Sequence, residues 1–149
     1  MTSSASRPVR TIALINQKGG VGKTTTTTNL AAAIAQSGRR VCVIDLDPQA
    51  HLTLHLGVET KGPSVYELLV DPACEAAETV VEARPNLDLI PSCVDLAAAE
   101  TELADAPDRN RILARRFAAI ADRYEFVLVD CPVSYTHLTL PTTCRVCWS

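Results

Sequence analysis

Short apolar runs alternate along this chain with longer stretches of helical period. Ile12-Ala13-Leu14-Ile15, Val41-Cys42-Val43-Ile44, Leu87-Asp88-Leu89-Ile90-Pro91 and Phe126-Val127-Leu128-Val129-Asp130 are the runs, and each predicts a strand. The continuous Val41–Ile44 run reads as a parallel strand covered on both faces. Between the runs the period lengthens. A helix begins near Lys23, with Leu30, Ile34 and the intervening alanines as its buried stripe and Gly38 where a C-terminal cap belongs. Ser64-Val65-Tyr66-Glu67 is a capping box that opens a short helix through Leu68 and Leu69. Val94 to Leu103 reads as a helix with Asp95 in its first turn, and Ile112, Leu113, Phe117 and Ile120 form a helical apolar stripe ahead of the last strand. Strands alternating with helices predict an α/β fold, with a mostly parallel sheet and helices on both faces.

Composition narrows the class. A length of 149 residues suits one domain or part of one, and 47% hydrophobic residues with only 4% aromatic predict an aliphatic core. A net charge of −3 argues against attraction to nucleic acid over the whole surface, so any DNA contact needs a local patch. Six cysteines are scattered, with Cys42 inside a buried strand, which argues against a disulfide framework. Residues 1–9 are small, polar and Pro-containing and are expected to be disordered. No signal peptide or transmembrane run is visible.

The chemistry concentrates where the first strand meets the first helix. Lys18-Gly19-Gly20-Val21-Gly22-Lys23-Thr24-Thr25 is a glycine-rich loop with a lysine at each end. Gly19, Gly20 and Gly22 clear the way for backbone N–H groups to cradle a polyphosphate, and the following helix adds its unpaired N–H groups and its positive dipole end. Lys23 is placed for the β/γ-phosphates, the Thr24 hydroxyl for Mg2+ and Thr25 for the α-phosphate. The general phosphate-loop pattern asks for glycine at position 17, where this chain has Gln17. Two further strands end in acids. Val41–Ile44 delivers Asp45-Leu46-Asp47-Pro48-Gln49, and Phe126–Val129 delivers Asp130. In open α/β sheets ligands bind at these strand ends.

Asn16-Gln17-Lys18-Gly19-Gly20-Val21-Gly22-Lys23-Thr24-Thr25 closely resembles the deviant Walker A loop of the ParA/MinD ATPases. Asp45-Leu46-Asp47-Pro48-Gln49 and Asp130-Cys131-Pro132 resemble that family's acidic motifs, except that Val133 replaces a second proline. The resemblance implies a P-loop NTPase that binds ATP and Mg2+ and hydrolyses ATP. Lys18 would reach the partner's phosphates across an ATP-bound homodimer. Asp47 would orient the attacking water. Thr24 and Asp130 would hold the metal and Asp45 would support its shell. It further implies a ParB-like activator, non-specific DNA binding, a cytoplasmic and nucleoid-associated protein with no membrane role, and an output in chromosome or plasmid partitioning or cargo positioning. Two relatives of that class offer other readings. One is a MinD-like, membrane-associated division regulator, against which Asp47-Pro48-Gln49 argues. The other is a nitrogenase-reductase-like carrier using Cys93 and Cys131. A non-hydrolysing nucleotide switch is a third.

Three local features have plainer readings. His51 and His55 have helical i, i+4 spacing but lack the glutamate of a zinc motif, so they read as a helix face. Arg109, Arg111, Arg115 and Arg116 read as a solvated face rather than a DNA patch. Cys144 and Cys147 have metal or redox spacing but fall in a stretch of different character. From Val133 onward the sequence resembles the translation of a sequencing-library adaptor, so 133–149 is expected to be a non-native tail, and 10–132 the N-terminal part of the ATPase domain. Relatives continue well beyond this point, with later strands, the adenine-contacting segment, much of the dimer interface and the DNA-binding surface. The chain by itself is therefore expected to be inactive.

Overall fold

A computed structural model describes residues 8–16, 22–132 and, as backbone, 144–148. The expected disordered stretch 1–9 lies outside these residues except for Pro8 and Val9, as do Gln17, Lys18, Gly19, Gly20 and Val21 of the loop.

The chain builds a 6-stranded sheet in the order β3-β4-β2-β5-β1-β6. Its strands are β1 (Arg10–Asn16), β2 (Val41–Asp45), β3 (Val81–Arg84), β4 (Leu87–Ile90), β5 (Phe126–Pro132) and β6 (Cys144–Trp148). All neighbours pair in parallel except β3, which runs antiparallel to β4 at one edge. β6 pairs with β1 at the other edge and lies within the stretch that the sequence sets apart from the domain. β5 inserts between β2 and β1, although β1 and β2 are consecutive in the chain. Such a reversal of strand order opens a crevice at the carboxyl ends of the strands.

The strands are apolar throughout because both faces are covered. Cys42 and Ile44 of β2 and Val127, Val129 and Cys131 of β5 face one cluster, shared with Leu68, Leu96, Leu113 and Phe117. These come from α3 (Val65–Val70), α5 (Leu96–Glu102) and α6 (Ile112–Phe117). Val41 and Val43 of β2 and Leu128 of β5 face the opposite cluster, with Ala31, Ala35, Leu52 and Leu56. Those come from α1 (Lys23–Gln36) and from α2 (His51–His55) with its C-cap. α4 (Ala76–Thr79) precedes β3, and neither element is marked by the apolar pattern. The period-two alternation of side chains thus assigns α1 and α2 to one face and α3, α5 and α6 to the other.

Local chemistry sets the element ends. Ser64 and Glu67 form the capping box of α3, as expected. Gly38, at φ 81°, follows the C-cap of α1 in the left-handed conformation that its position requires. α5 starts later than expected, with Asp95 at the N-cap position rather than inside the first turn. The stripe of α1 differs in part from the expectation, which included Ala31. Thr27, Ala31 and Ala35 are its buried residues, and Leu30 and Ile34 only pack partly against the core. Small side chains on this face let the helix backbone approach the sheet closely. The threonine run is satisfied internally, since Thr27 and Thr28 hydroxyls donate to the carbonyls of Lys23 and Thr24 at 3.0 and 2.9 Å. Among the described residues no helix is long and apolar enough to cross a membrane.

Candidate functional site

Parallel strands present their carboxyl ends at one edge, so the acids at the ends of β2 and β5 are brought together. Asp45 and Asp130 are register partners on adjacent strands, and both are fully buried. They have the same parity as Val43 and Leu128, which places them on the face covered by α1 and α2.

α1 holds Asp130. Lys23 Nζ makes an ion pair with Asp130 Oδ1 at 2.5 Å, and the Thr24 hydroxyl donates to Oδ2 at 2.9 Å. Beyond that ion pair, Lys23 Nζ and Asp130 Oδ1 have no hydrogen-bond partner among the described residues, although both atoms are buried. An ammonium can donate three hydrogen bonds, so much of the capacity of Lys23 is unspent. Desolvating the pair costs several kcal/mol per ion, and a well-packed apolar pair would avoid that cost. The arrangement therefore points to a ligand that draws on both charges.

The start of α1 fits an anion. Gly22 is its N-cap at φ 82° and contributes no capping side chain, and the first turn carries no acid. The first intrahelical bond of this turn is Thr26 N–H to Gly22 carbonyl oxygen at 2.8 Å. The N–H groups of Lys23, Thr24 and Thr25 precede it and have no partner within the helix. A dipole end with no acid in its first turn, whose first N–H groups are unspent within the helix, suits a phosphate. Thr24 and Asp130 supply the hard oxygen donors that Mg2+ takes. The residues present thus fit a magnesium–polyphosphate pair.

Asp45 faces different partners. Its Oδ1 accepts from Asp47 N–H at 3.0 Å, and its Oδ2 accepts from Thr53 N–H at 2.9 Å and the Thr53 hydroxyl at 2.8 Å. Burial pushes its pKa up to about 6; the Thr53 and Asp47 hydrogen bonds oppose the rise, and the charge of Asp130 adds to it. Of the residues expected at the metal, Thr24 and Asp130 are in contact, while Asp45 lies beside Asp130 with both oxygens engaged elsewhere. Asp47, two residues beyond Asp45, is half-buried. Its Oδ1 accepts from Gln49 N–H at 2.9 Å, and its Oδ2 lies 3.4 Å from His51 Nδ1. Lys18, Gly19, Gly20 and Val21, the remaining expected site residues, lie outside the described residues. Thr53 is a site residue that sequence reasoning missed. Its only signal is a threonine shortly after the acidic motif.

The other candidates take scaffold roles or stay on the surface. His51 and His55 are exposed on α2, and among the described residues no three His, Cys, Asp or Glu side chains are grouped to hold a metal. Arg116 donates to the carbonyl oxygens of Asp71, Pro72 and Cys74 at 3.1, 2.9 and 3.3 Å, pinning the chain after α3. Arg109, Arg111 and Arg115 are exposed. Cys131 is buried, and burial pushes its thiol up to about 12, with Lys23 opposing and the charges of Asp130 and Asp47 adding. Its thiol stays protonated at neutral pH and is a poor ligand or nucleophile.

A mostly parallel α/β sheet whose first strand is followed by a glycine-rich sequence and then a helix, with an acid at the end of the adjoining strand, defines the P-loop NTPase class. Residues 9–143 match the AAA domain family. The sporulation initiation inhibitor protein Soj of Bacillus subtilis is 43% identical over 131 residues, covering 87% of this chain and 52% of Soj. The chromosome partitioning protein ParA of Caulobacter vibrioides is 39% identical over 140 residues, covering 91% of this chain and 52% of that protein. Among solved structures, cobyrinic acid a,c-diamide synthase from Mycobacterium smegmatis, with bound ATP analog and magnesium, aligns with a TM-score of 0.81 at 39% identity, covering 87% of this chain and 54% of that one. This chain belongs to the AAA domain family, among its ParA-like members. It spans about half the length of the curated relatives it matches.

Proposed function

We propose that this chain carries the nucleotide site of a ParA-like partitioning ATPase, which binds ATP with Mg2+ and hydrolyses it. The observation that carries the reading is the buried contact of Lys23, Thr24 and Asp130 at the start of α1. An ATP analog and magnesium are bound in the Mycobacterium smegmatis relative, which shares the fold. That relative is named for a diamide synthesis, so what supports partitioning is the name of the Caulobacter vibrioides relative.

In this reading the chain's residues divide the work. Gly19, Gly20, Val21 and Gly22 wrap the polyphosphate with backbone N–H groups, and Thr25 donates to the α-phosphate. Lys23 exchanges part of its contact with Asp130 for the β/γ-phosphates. Thr24 and Asp130 would hold Mg2+, and Mg2+ when bound neutralises charge on the phosphoryl oxygens. Asp47 orients the attacking water from the rim. Lys18 acts on the phosphates of a second copy, giving an ATP-dependent homodimer. Support for a partner face at this edge comes from Leu54 and Val94, large apolar side chains that are 68% and 74% exposed. Each lies one or two residues from the Thr53–Ser92 hydrogen bond. By family, a ParB-like activator, non-specific DNA and a cytoplasmic, nucleoid-associated location belong to the same reading.

Phosphate release from ATP tests hydrolysis. A full-length protein that carries this site is expected to release phosphate slowly, and Lys18→Ala and Asp47→Ala in it to lower the rate at least about tenfold. If both variants match the parent, the roles of Lys18 and Asp47 fail.

A further inference from the structure

Thr53 stands where three segments of the chain meet. It is 3% exposed, inside α2. Its N–H and hydroxyl both donate to Asp45 Oδ2, at 2.9 and 2.8 Å. The hydroxyl oxygen in turn accepts from Ser92 N–H at 3.1 Å. Asp45 ends β2 and Ser92 follows β4, so one side chain ties α2 to the ends of two parallel strands.

The tied segment is the one that carries Asp47. On its near side, Asp47 N–H donates to Asp45 Oδ1. Beyond it, Ala50 N–H donates to the Asp47 carbonyl oxygen at 2.8 Å, and Ala50 takes the left-handed conformation at φ 52°. A residue with a Cβ adopts that conformation at a cost, so the surrounding contacts have to hold it there. Asp45 and Thr53 are the two ends of the clamp. Only a hydroxyl both donates to a carboxylate and accepts from an amide here, which serine would also do and valine would not.

We propose that Thr53 is a positioning residue: by closing the turn from Asp45 to Thr53, it sets where Asp47 stands relative to Lys23 and Asp130. The inference rests on the reading of Asp47 as the group that orients the attacking water. A role in fold stability alone is the competing explanation.

Amide hydrogen exchange of the whole chain, with Thr53→Val and Thr53→Ser, separates the two. In Thr53→Val the amides of Asp47 and Ala50 are expected to exchange at least about tenfold faster, while those of Val43 and Leu128 stay within about twofold of the parent. Thr53→Ser is expected to restore the parental pattern. In a full-length protein that carries this site, the rate of phosphate release at saturating ATP is expected to fall about tenfold in Thr53→Val, with ADP affinity within about twofold. Unchanged protection of Asp47 and Ala50 in Thr53→Val overturns the proposal. Equal acceleration at Val43 and Leu128 also overturns it, in favour of a stability role. If a full-length protein that carries this site releases no phosphate but the exchange pattern is as expected, the clamp stands and the catalytic reading of Asp47 falls.

Discussion

Asp45 and Asp130 end adjacent parallel strands as register partners, both fully buried, yet each is served by a different helix. Lys23 and Thr24 of α1 take Asp130, and Thr53 of α2 takes Asp45. The sheet pairs the two acids, and the helices make them chemically unlike.

That difference predicts a pH signature. Asp45 has its pKa raised from 3.8 to about 6, chiefly by burial. The folded state therefore binds its proton more tightly than the unfolded chain. The contribution of Asp45 to stability is greatest below pH 4, falls as pH rises through about 6, and is constant above. A shift of about two units corresponds to at most about 3 kcal/mol. Asp45→Asn removes this dependence. Urea unfolding from pH 4 to 7 is expected to show the stability of the variant, relative to the parent, rising over that range.

The Lys23–Asp130 pair predicts strong coupling. Removing one partner leaves a buried charge unpaired, at about 3–5 kcal/mol. Lys23→Met and Asp130→Asn are each expected to destabilise the ligand-free chain, and the double variant to lose less than the sum. A double-mutant cycle by urea unfolding measures the difference, and a coupling near zero would show that the pair does not interact.

Much of this was legible in the sequence, and the limits have physical causes. Strands covered on both faces are continuous apolar runs, so β1, β2, β4 and β5 stand out. β3 does not, because an edge strand that alternates half-buried Val81 and Ala83 with exposed Glu82 and Arg84 carries little apolar signal. The stripe of α1 is legible only in part: Ala31 is buried as expected and Leu30 and Ile34 pack partly against the core, but close packing against the sheet also buries Thr27 and Ala35, which contribute little hydrophobic pattern. Lys23 and Thr24 stand out because a loop motif fixes their spacing, and Asp130 because it ends a continuous apolar run. Thr53 does not, since its role depends on β2 and β4 meeting beside α2. Arg116 looked like part of a solvated face because nothing local reveals that its targets are carbonyls about forty residues earlier.

Ala50 predicts a tolerant position. Among the described residues with positive φ other than glycine, Asn86 and Asp108 have polar side chains suited to that region, whereas Ala50 does not. Ala50→Gly relieves about 1 kcal/mol of backbone strain and loses a comparable amount to the freedom of the unfolded chain. Thermal unfolding is expected to change by less than about 1 kcal/mol, and Ala50→Val to destabilise by more.

Arg116 predicts a case where lysine is not conservative. A planar guanidinium reaches three carbonyl oxygens that an ammonium cannot reach together. Arg116→Lys is expected to cost about 1 kcal/mol in urea unfolding, with nucleotide affinity unchanged.

Calorimetric titration of the chain with ADP, with and without Mg2+, tests the central claim most directly. Binding that tightens when Mg2+ is present, weakens at least about tenfold in Thr24→Val and is lost in Lys23→Ala is the predicted result. A folded chain that shows no magnesium-dependent affinity for ADP would contradict it.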